Sequence, residues 1–286
     1  MDAVAPAFRT ISDASLFVPS DRPTEKRKVS TEKPMTEWPT SLLGRLPIVQ
    51  TDVASSARGF IAHALGSRGK ARRPFYSTSA NGQVLALCGK DEAFLSLMRK
   101  ADQIHADGMP MVLYSKLFSK RPLAERVATT DLVHEVAKLA QDAGVSFYFL
   151  GASEEVNAKA VEEMQRRYPK LIFAGRRNGY FSRDEEEAVI AGINAARPDI
   201  LWIGLGVPLE QQFIERNIGR LTGVGVIKTS GGLFDFISGK NARAPAWMQA
   251  AGLEWLYRVW LEPRRLAMRY LTTNPQAIGA LIRHSA

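Results

Sequence analysis

A single cysteine, Cys88, among 286 residues leaves no partner for an internal disulfide. It sits in the apolar stretch VLALC, which suits a buried thiol in a reducing cytoplasm better than a nucleophile. No run of eighteen uninterrupted apolar residues occurs, so the sequence predicts no bilayer-spanning helix. The amino-terminal stretch carries acids and prolines early and lacks the apolar run of a secretory signal. Histidine is scarce: His63, His105, His134 and His284 are scattered, and none has zinc-ligand spacing. Walker A and nucleophile-elbow sequences are missing. The stretch GLGVP (204–208) has Gly204 and Gly206 but Leu209 where a dinucleotide fingerprint needs its third glycine. These absences argue against nicotinamide, P-loop, serine-hydrolase and zinc chemistry.

What the chain has in excess is positive charge. Lys and Arg number 38 against 29 Asp and Glu, a formal net charge of +9. Such a balance points to an anionic partner: nucleic acid, an acidic membrane surface or a phosphorylated substrate. With 45% hydrophobic residues, the chain can also bury a substantial core.

Residues 1–41 are rich in Pro, Ser, Thr and charge without sustained periodicity, and read as an amino-terminal extension. From residue 42 to 245, short apolar runs alternate with helical patterns. LPIVQTD reads as a strand and turn, residues 54–66 as a helix, and RRPFYSTSANG as a strand ending in a polar loop. QVLALCGKDEAFLSLMRKA gives one or two helices. DLVHEVAKLAQDAG is an amphipathic helix with Asp131 as expected N-cap and Gly144 as its stop. VSFYFLGAS, LIFAGRRNGYF, DILWIGLGVP and GVGVIKTSGG then supply strands, each separated from the next by a helical stretch. The alternation predicts an α/β fold, a mostly parallel sheet covered by helices.

In such sheets ligands gather at the loops leaving the strands' carboxyl ends. Here those loops are STSANG, HADGMP, GAS, GRRNGYF, GLGVP and TSGGLFDF, whose small residues let backbone approach a phosphate or sugar. Within IHADGMP (104–110), the spacing alone is equally compatible with Asp107 as a bend and Asp107 as a base.

Residues 246–286 form a carboxyl-terminal helical, amphipathic appendage. It carries Trp, Tyr and Leu beside Glu254, Arg258, Glu262, Arg265 and Arg269, which are spaced 4, 4, 3 and 4 apart. Pro263 is expected to divide it into two helical pieces. An aromatic and basic surface of this kind suits an anionic membrane; packing on the main domain or on a second copy uses the same face.

Several stretches together resemble the WecG/TagA/CpsF family of bacterial glycosyltransferases. They are ADGMP (106–110), ERVATTDL (125–132), FYFLGAS (147–153), GYF (179–181), GLGVPLEQQF (204–213) and the long GGLFDFISGKNARAPAWMQAAGLEWLYRVWLEPRRLAMRYL (231–271). The resemblance implies a Rossmann-like sheet and an inverting, metal-independent transferase without a cofactor. It also implies a UDP-sugar donor, often of the N-acetylmannosamine type, and a polyprenyl-diphosphate-linked acceptor in surface polysaccharide assembly. The implied location is cytoplasmic, peripheral on the inner face of the membrane.

By the same resemblance, Asp107 matches the catalytic base and Asn81 the asparagine of a Thr-x-Asn loop. Ser79 takes the hydroxyl position, with Thr78 beside it. Arg126 and Asp131 match the family's Arg-Val and Asp, although the glycine between them is absent here. Gly151, Tyr180, Gly204, Gly206, Pro208 and Gly232 fall in the nucleotide and sugar region. The usual Pro-x-Gln-Glu is here Pro208-Leu209-Glu210-Gln211, acid and amide exchanged. Arg258, Arg265 and Arg269 match the appendage's basic positions. Two other readings are a basic α/β protein that binds nucleic acid without catalysis, and a soluble nucleotide-sugar epimerase. Against the first, no nucleic-acid module appears and the charge concentrates at the two ends. Against the second stands the missing dinucleotide fingerprint.

Overall fold

The computed structural model describes residues 38–250 and 252–285. Most of the amino-terminal extension therefore lies outside the described residues. The first strand, β1 (Thr40–Leu43), begins inside the stretch read as extension and pairs antiparallel with β2 (Leu46–Val49). Gly44 and Arg45, both at positive φ, make the turn between them.

The chain then alternates as its apolar pattern dictates. Helix α1 (Val53–Ser67) precedes β3 (Phe75–Ala80), and α2 (Gly82–Cys88) and α3 (Glu92–Arg99) lead to β4 (Gln103–Ala106). Helices α4 (Met109–Phe118) and α5 (Thr129–Ala143) cross to β5 (Ser146–Gly151). Next come α6 (Glu154–Arg167), β6 (Ile172–Arg177), α7 (Glu186–Ala196), β7 (Ile200–Gly204), α8 (Leu209–Asn217) and β8 (Val226–Thr229). Four helices close the chain: α9 (Leu233–Ile237), α10 (Ala246–Ala250), α11 (Glu254–Leu261) and α12 (Pro263–His284). Asp52, Asn81, Asp91 and Ser153 cap α1, α2, α3 and α6 by accepting a backbone N–H three residues on.

The main sheet has six strands, all parallel, in the order β4-β3-β8-β7-β5-β6. Its middle strands are apolar on both faces because helices cover both, so ILWIG in β7 is buried throughout. On one face α1, α5 and α6 pack around Phe60, Phe147, Phe149 and Trp202. On the other, α7 and α8 pack around Ile190, Ile193 and Phe213. A third cluster joins α2, α3, α4 and the β1–β2 hairpin. The connection leaving β5 runs outward to β6 and that leaving β7 runs inward to β8, so the sheet's direction switches between β5 and β7.

Two expectations change. Asp131 is not the N-cap of α5: the helix starts at Thr129, and Asp131 lies in its first turn. The N-cap is Ala128, whose side chain offers no hydrogen bond to the first turn. The carboxyl-terminal segment divides at Pro263 as expected, but its last turns are not separate from the main body. Pro263 does begin a new helix, so the five charges from Glu254 to Arg269 do not lie on one continuous helical stripe. The far half of α12 belongs to the main body: Ala277 and Leu281 are buried in the third cluster beside Leu43, Leu46 and Ile48. The Gly44 N–H donates to Ser285 Oγ (3.0 Å) and the Arg45 N–H to the His284 carbonyl (3.1 Å), which ties the end of α12 to the hairpin.

Candidate active site

Strand β4 delivers Asp107 to the carboxyl edge of the sheet. Its N–H donates to the Ala80 carbonyl (2.8 Å), which keeps the backbone extended one residue beyond the strand. Gly108 follows without a side chain, and a Cβ there would lie 3.6 Å from the Cα of Asn81. The β3 and β4 loops thus meet at Asn81 and Asp107. Asn81 Oδ1 is engaged by the Val84 N–H (3.1 Å), which leaves its amide nitrogen for other partners. Ser79 Oγ accepts from Lys228 Nζ (2.7 Å) and lies 3.2 Å from Thr129 Oγ1. Thr78, one residue back, points into the sheet and shares a 2.7 Å hydrogen bond with Thr229, so the hydroxyl near Asp107 is that of Ser79.

Burial pushes the Asp107 carboxyl above the usual range, the Lys228 and Arg126 charges and the Thr129 N–H oppose this, and Glu254 reinforces it. Arg126 lies beside it in a charged chain that reaches the appendage. Its guanidinium donates to Glu254 Oε2 of α11 at 2.7 Å and lies 3.6 Å from Asp131. Asp131 in turn accepts from Arg243 (2.5 Å), which also donates to Gln249 Oε1 of α10 (2.6 Å). Burial disfavours the Arg126 charge, but Glu254, Asp107 and Asp131 more than offset it. Arg126 and Asp131 are thus brought together, and Glu254, read from the sequence only as part of a polar stripe, is their partner.

The glycines at the other strand ends answer to close backbone approach. Gly151 has φ +140°, and a Cβ there would lie 2.3 Å from the Gly204 carbonyl oxygen. A Cβ on Gly204 would lie 2.9 Å from the Phe234 ring and 3.0 Å from the Gly231 carbonyl. Gly151 and Gly204 end β5 and β7, where the sheet changes direction, and Gly206 at φ +81° faces open space beside them. Pro208 and Gly232 stand immediately before α8 and α9. This edge is lined by backbone and is suited to a nucleotide's diphosphate.

The order and geometry of these loops have counterparts elsewhere. The model of the glycosyl transferase WecG/TagA/CpsF family matches residues 46–286. The chain belongs to this glycosyltransferase family. Among its relatives is an N-acetylglucosaminyldiphosphoundecaprenol N-acetyl-beta-D-mannosaminyltransferase of Bacillus spizizenii, 30% identical over 83% of this chain and 91% of the relative. A Staphylococcus aureus protein of the same name is 30% identical over 67% of this chain and 74% of its own.

Other residues expected in this glycosyltransferase have partners of their own. Tyr180 is 79% exposed in the loop after β6, with its N–H donating to Asn178 Oδ1. Arg258 stands over the Phe236 ring of α9 (5.3 Å) and Arg269 over Tyr270 (5.0 Å), so their described contacts are with aromatic rings. The side chain of Arg265 lies outside the described residues. Glu210 and Gln211 are buried rather than open to a ligand. The Glu210 carboxylate turns inward to accept the Gly231 N–H at 3.0 Å.

Sequence reasoning missed Lys228. It lies in the middle of the buried strand VIKT, and the signal was present: a lysine within an apolar run of a sheet covered on both faces. His105, also buried, is held between Ser56 (3.1 Å) and Ser77 (3.4 Å), and burial followed by the Lys228 charge drives it well below its ordinary range. It is a neutral structural residue.

Proposed function

We propose that this glycosyltransferase moves a sugar, with inversion, from a UDP-sugar donor to a polyprenyl-diphosphate-linked acceptor, with Asp107 as the general base. The observation that carries the reading is the carboxyl of Asp107: set just past the end of β4 by its N–H bond to the Ala80 carbonyl, raised by burial, and kept ionisable by the Lys228 and Arg126 charges. A carboxylate of that kind takes a proton from an acceptor hydroxyl better than an ordinary one. The acceptor class follows the names of the relatives, which act on a diphosphoundecaprenol-linked sugar. An N-acetylmannosamine-type donor is the first to test on the same ground.

The donor diphosphate fits the edge formed by Gly151, Gly204 and Gly206, where backbone N–H groups meet departing charge without a metal. Arg126 and the appendage arginines Arg258, Arg265 and Arg269 supply further positive charge for either diphosphate. Ser79 and Asn81 border the base and orient the reacting groups.

No described helix is long and apolar enough to cross a membrane. A surface attachment suits the chain instead. Trp247, Leu256, Trp260, Leu261, Met268 and Leu271 of the appendage are exposed. Leu113, Leu117 and Phe118 of α4 are exposed too, with Lys116, Lys120 and Arg121 beside them. Apolar side chains with a basic rim enter the headgroup layer of an anionic leaflet. On this reading the enzyme works at the cytoplasmic face, where its acceptor's head group would meet Asp107. Aromatic packing against a second copy is the competing use of this face, and sedimentation with and without vesicles separates the two.

The test is a UDP-release screen over UDP-sugars with a short-chain lipid diphosphate acceptor, run on wild type and Asp107→Asn. Turnover with one donor and a loss of about 10²–10⁴-fold in the variant is expected, with thermal stability retained. Near-normal turnover in a folded variant removes Asp107 from the chemistry. Thermal protection by RNA but not by UDP would revive the nucleic-acid reading.

A further inference from the structure

Between α5, α6 and α9 lies a cavity of about 280 Å³, near the lower bound of small-ligand pockets. Its described lining includes neither Asp107 nor Gly151, Gly204 or Gly206, so it is separate from the edge assigned to the donor. Leu233, Phe236 and Ile237 of α9, with Met164 of α6, form an apolar wall. Thr130 and His134 of α5, Arg167 of α6 and Arg243 supply the polar side.

The charges around it do not balance. Arg243 is answered by Asp131 (2.5 Å), and the lining acid Glu163 is bonded to Arg166 (2.9 Å). Arg167 has no ion-pair partner among the described residues; its described hydrogen bond goes to a neutral ring, His134 Nε2, at 3.3 Å. Since a guanidinium only donates, Nε2 accepts, and Nδ1–H is left to donate to Tyr168 Oη at 3.1 Å. Arg258, 5.3 Å over the Phe236 ring, likewise has no ion-pair partner among the described residues. Two unanswered guanidiniums therefore flank one cavity, and the Thr130 hydroxyl in its wall has no described hydrogen bond.

We propose that this cavity binds a phosphate group, Arg167 and Thr130 holding its oxygens while the α9 wall takes the apolar part of a phosphate ester. Guanidinium forks match phosphate oxygens in geometry as well as charge. A carboxylic acid alone would leave much of the apolar wall uncovered. In support, burial and the Arg167, Arg243 and Lys138 charges hold His134 down to about 4 against the pull of Asp131, as a site with excess positive charge requires. The bound group would also lie close to the reaction centre's charged chain, since Arg243 reaches Arg126 through Asp131 (2.5 and 3.6 Å). The same phosphate chemistry is offered by a free anion and by the headgroup of an anionic lipid. Exposed Leu256, Trp260 and Leu261 on α11, the helix that carries Arg258, favour the headgroup. The site stands whether or not Asp107 is the base.

The experiment uses full-length protein labelled with ¹⁵N-histidine at pH 7, the His134 ring signals being assigned by their loss in His134→Gln. Sodium phosphate and dispersed dihexanoyl phosphatidylglycerol are titrated separately, with sodium chloride holding ionic strength constant. A saturable shift of His134 is expected with the lipid; saturation by phosphate as well, at equal affinity, supports the site but makes it one for the free anion. Arg167→Gln removes an exposed side chain outside the reaction centre, so its melt should match wild type while binding weakens by about tenfold or more. Saturating UDP should leave the His134 response unchanged. No saturable shift with either probe overturns the proposal, as does equal affinity in Arg167→Gln. A response abolished by UDP overturns it too, because the cavity would then be part of the donor site.

Discussion

Leu281→Ala tests whether the end of the appendage is part of the core. Leu281 is 3% exposed and packs in the cluster of Leu43, Leu46, Ile48 and Leu85. Its neighbour Ile282 on the same helix is 66% exposed. Truncating a buried leucine removes its transfer free energy and leaves a cavity, together about 2–5 kcal/mol. For a domain of this size each kcal/mol lowers Tm by about 2–4 °C, so a cost near 3 kcal/mol predicts a fall of about 6–12 °C. Ile282→Ala removes a similar side chain from water-exposed surface and should stay within about 0.5 kcal/mol of wild type. Parallel thermal melts and urea titrations of the two variants measure the difference. If Leu281→Ala melts with Ile282→Ala, α12 is only loosely attached. The functional consequence follows from geometry: α12 anchors the segment that presents Glu254 to Arg126, so its release should also reduce turnover.

Three further outcomes are expected. Gly151→Ala should fail to fold or lose more than about 3 kcal/mol, since φ +140° is closed to alanine and its Cβ meets backbone, seen as lost expression or a collapsed melt. Asp199 is disfavoured by burial, but Arg68 and Ser146 more than offset this and hold its carboxyl below its unfolded value. A depressed carboxyl stabilises the fold above its unfolded pKa, about 3.9, and the contribution disappears as pH falls through the folded value. Asp199→Asn should therefore melt below wild type at pH 7, and the gap should shrink progressively below about pH 4; a constant gap at all pH values contradicts the linkage. Trp260→Ser combined with Leu117→Ser should weaken flotation with anionic vesicles while leaving the melt unchanged, and equal flotation would move the membrane contact elsewhere.

Much of the fold was legible because burial writes itself into pattern. Strands covered on both faces read as short apolar runs, as in FYFLG and ILWIG, and the helices between them read as amphipathic stripes. Gly144 ended α5 in the left-handed conformation that its sequence position implied. Asp131 misled because the rule for caps looks only along the chain, whereas its carboxylate is taken by Arg243, 112 residues away. Glu254 was visible as a charge, but its partner Arg126 lies 128 residues earlier. No local spacing encodes a pair of that kind.

The sequence by itself determined the class of the sheet, the loops at its carboxyl edge, the acid at position 107 and the break at Pro263. Composition, periodicity and the order of motifs are properties of the chain and need no folded context. Tertiary structure alone decided which charges meet. It sorted Ser79 from Thr78, turned Glu210 inward, closed α11 over Arg126 and buried Lys228 against Ser79. A charge's effect depends on its distance from other charges and on the water removed around it, and both are fixed only when strands distant in sequence lie side by side.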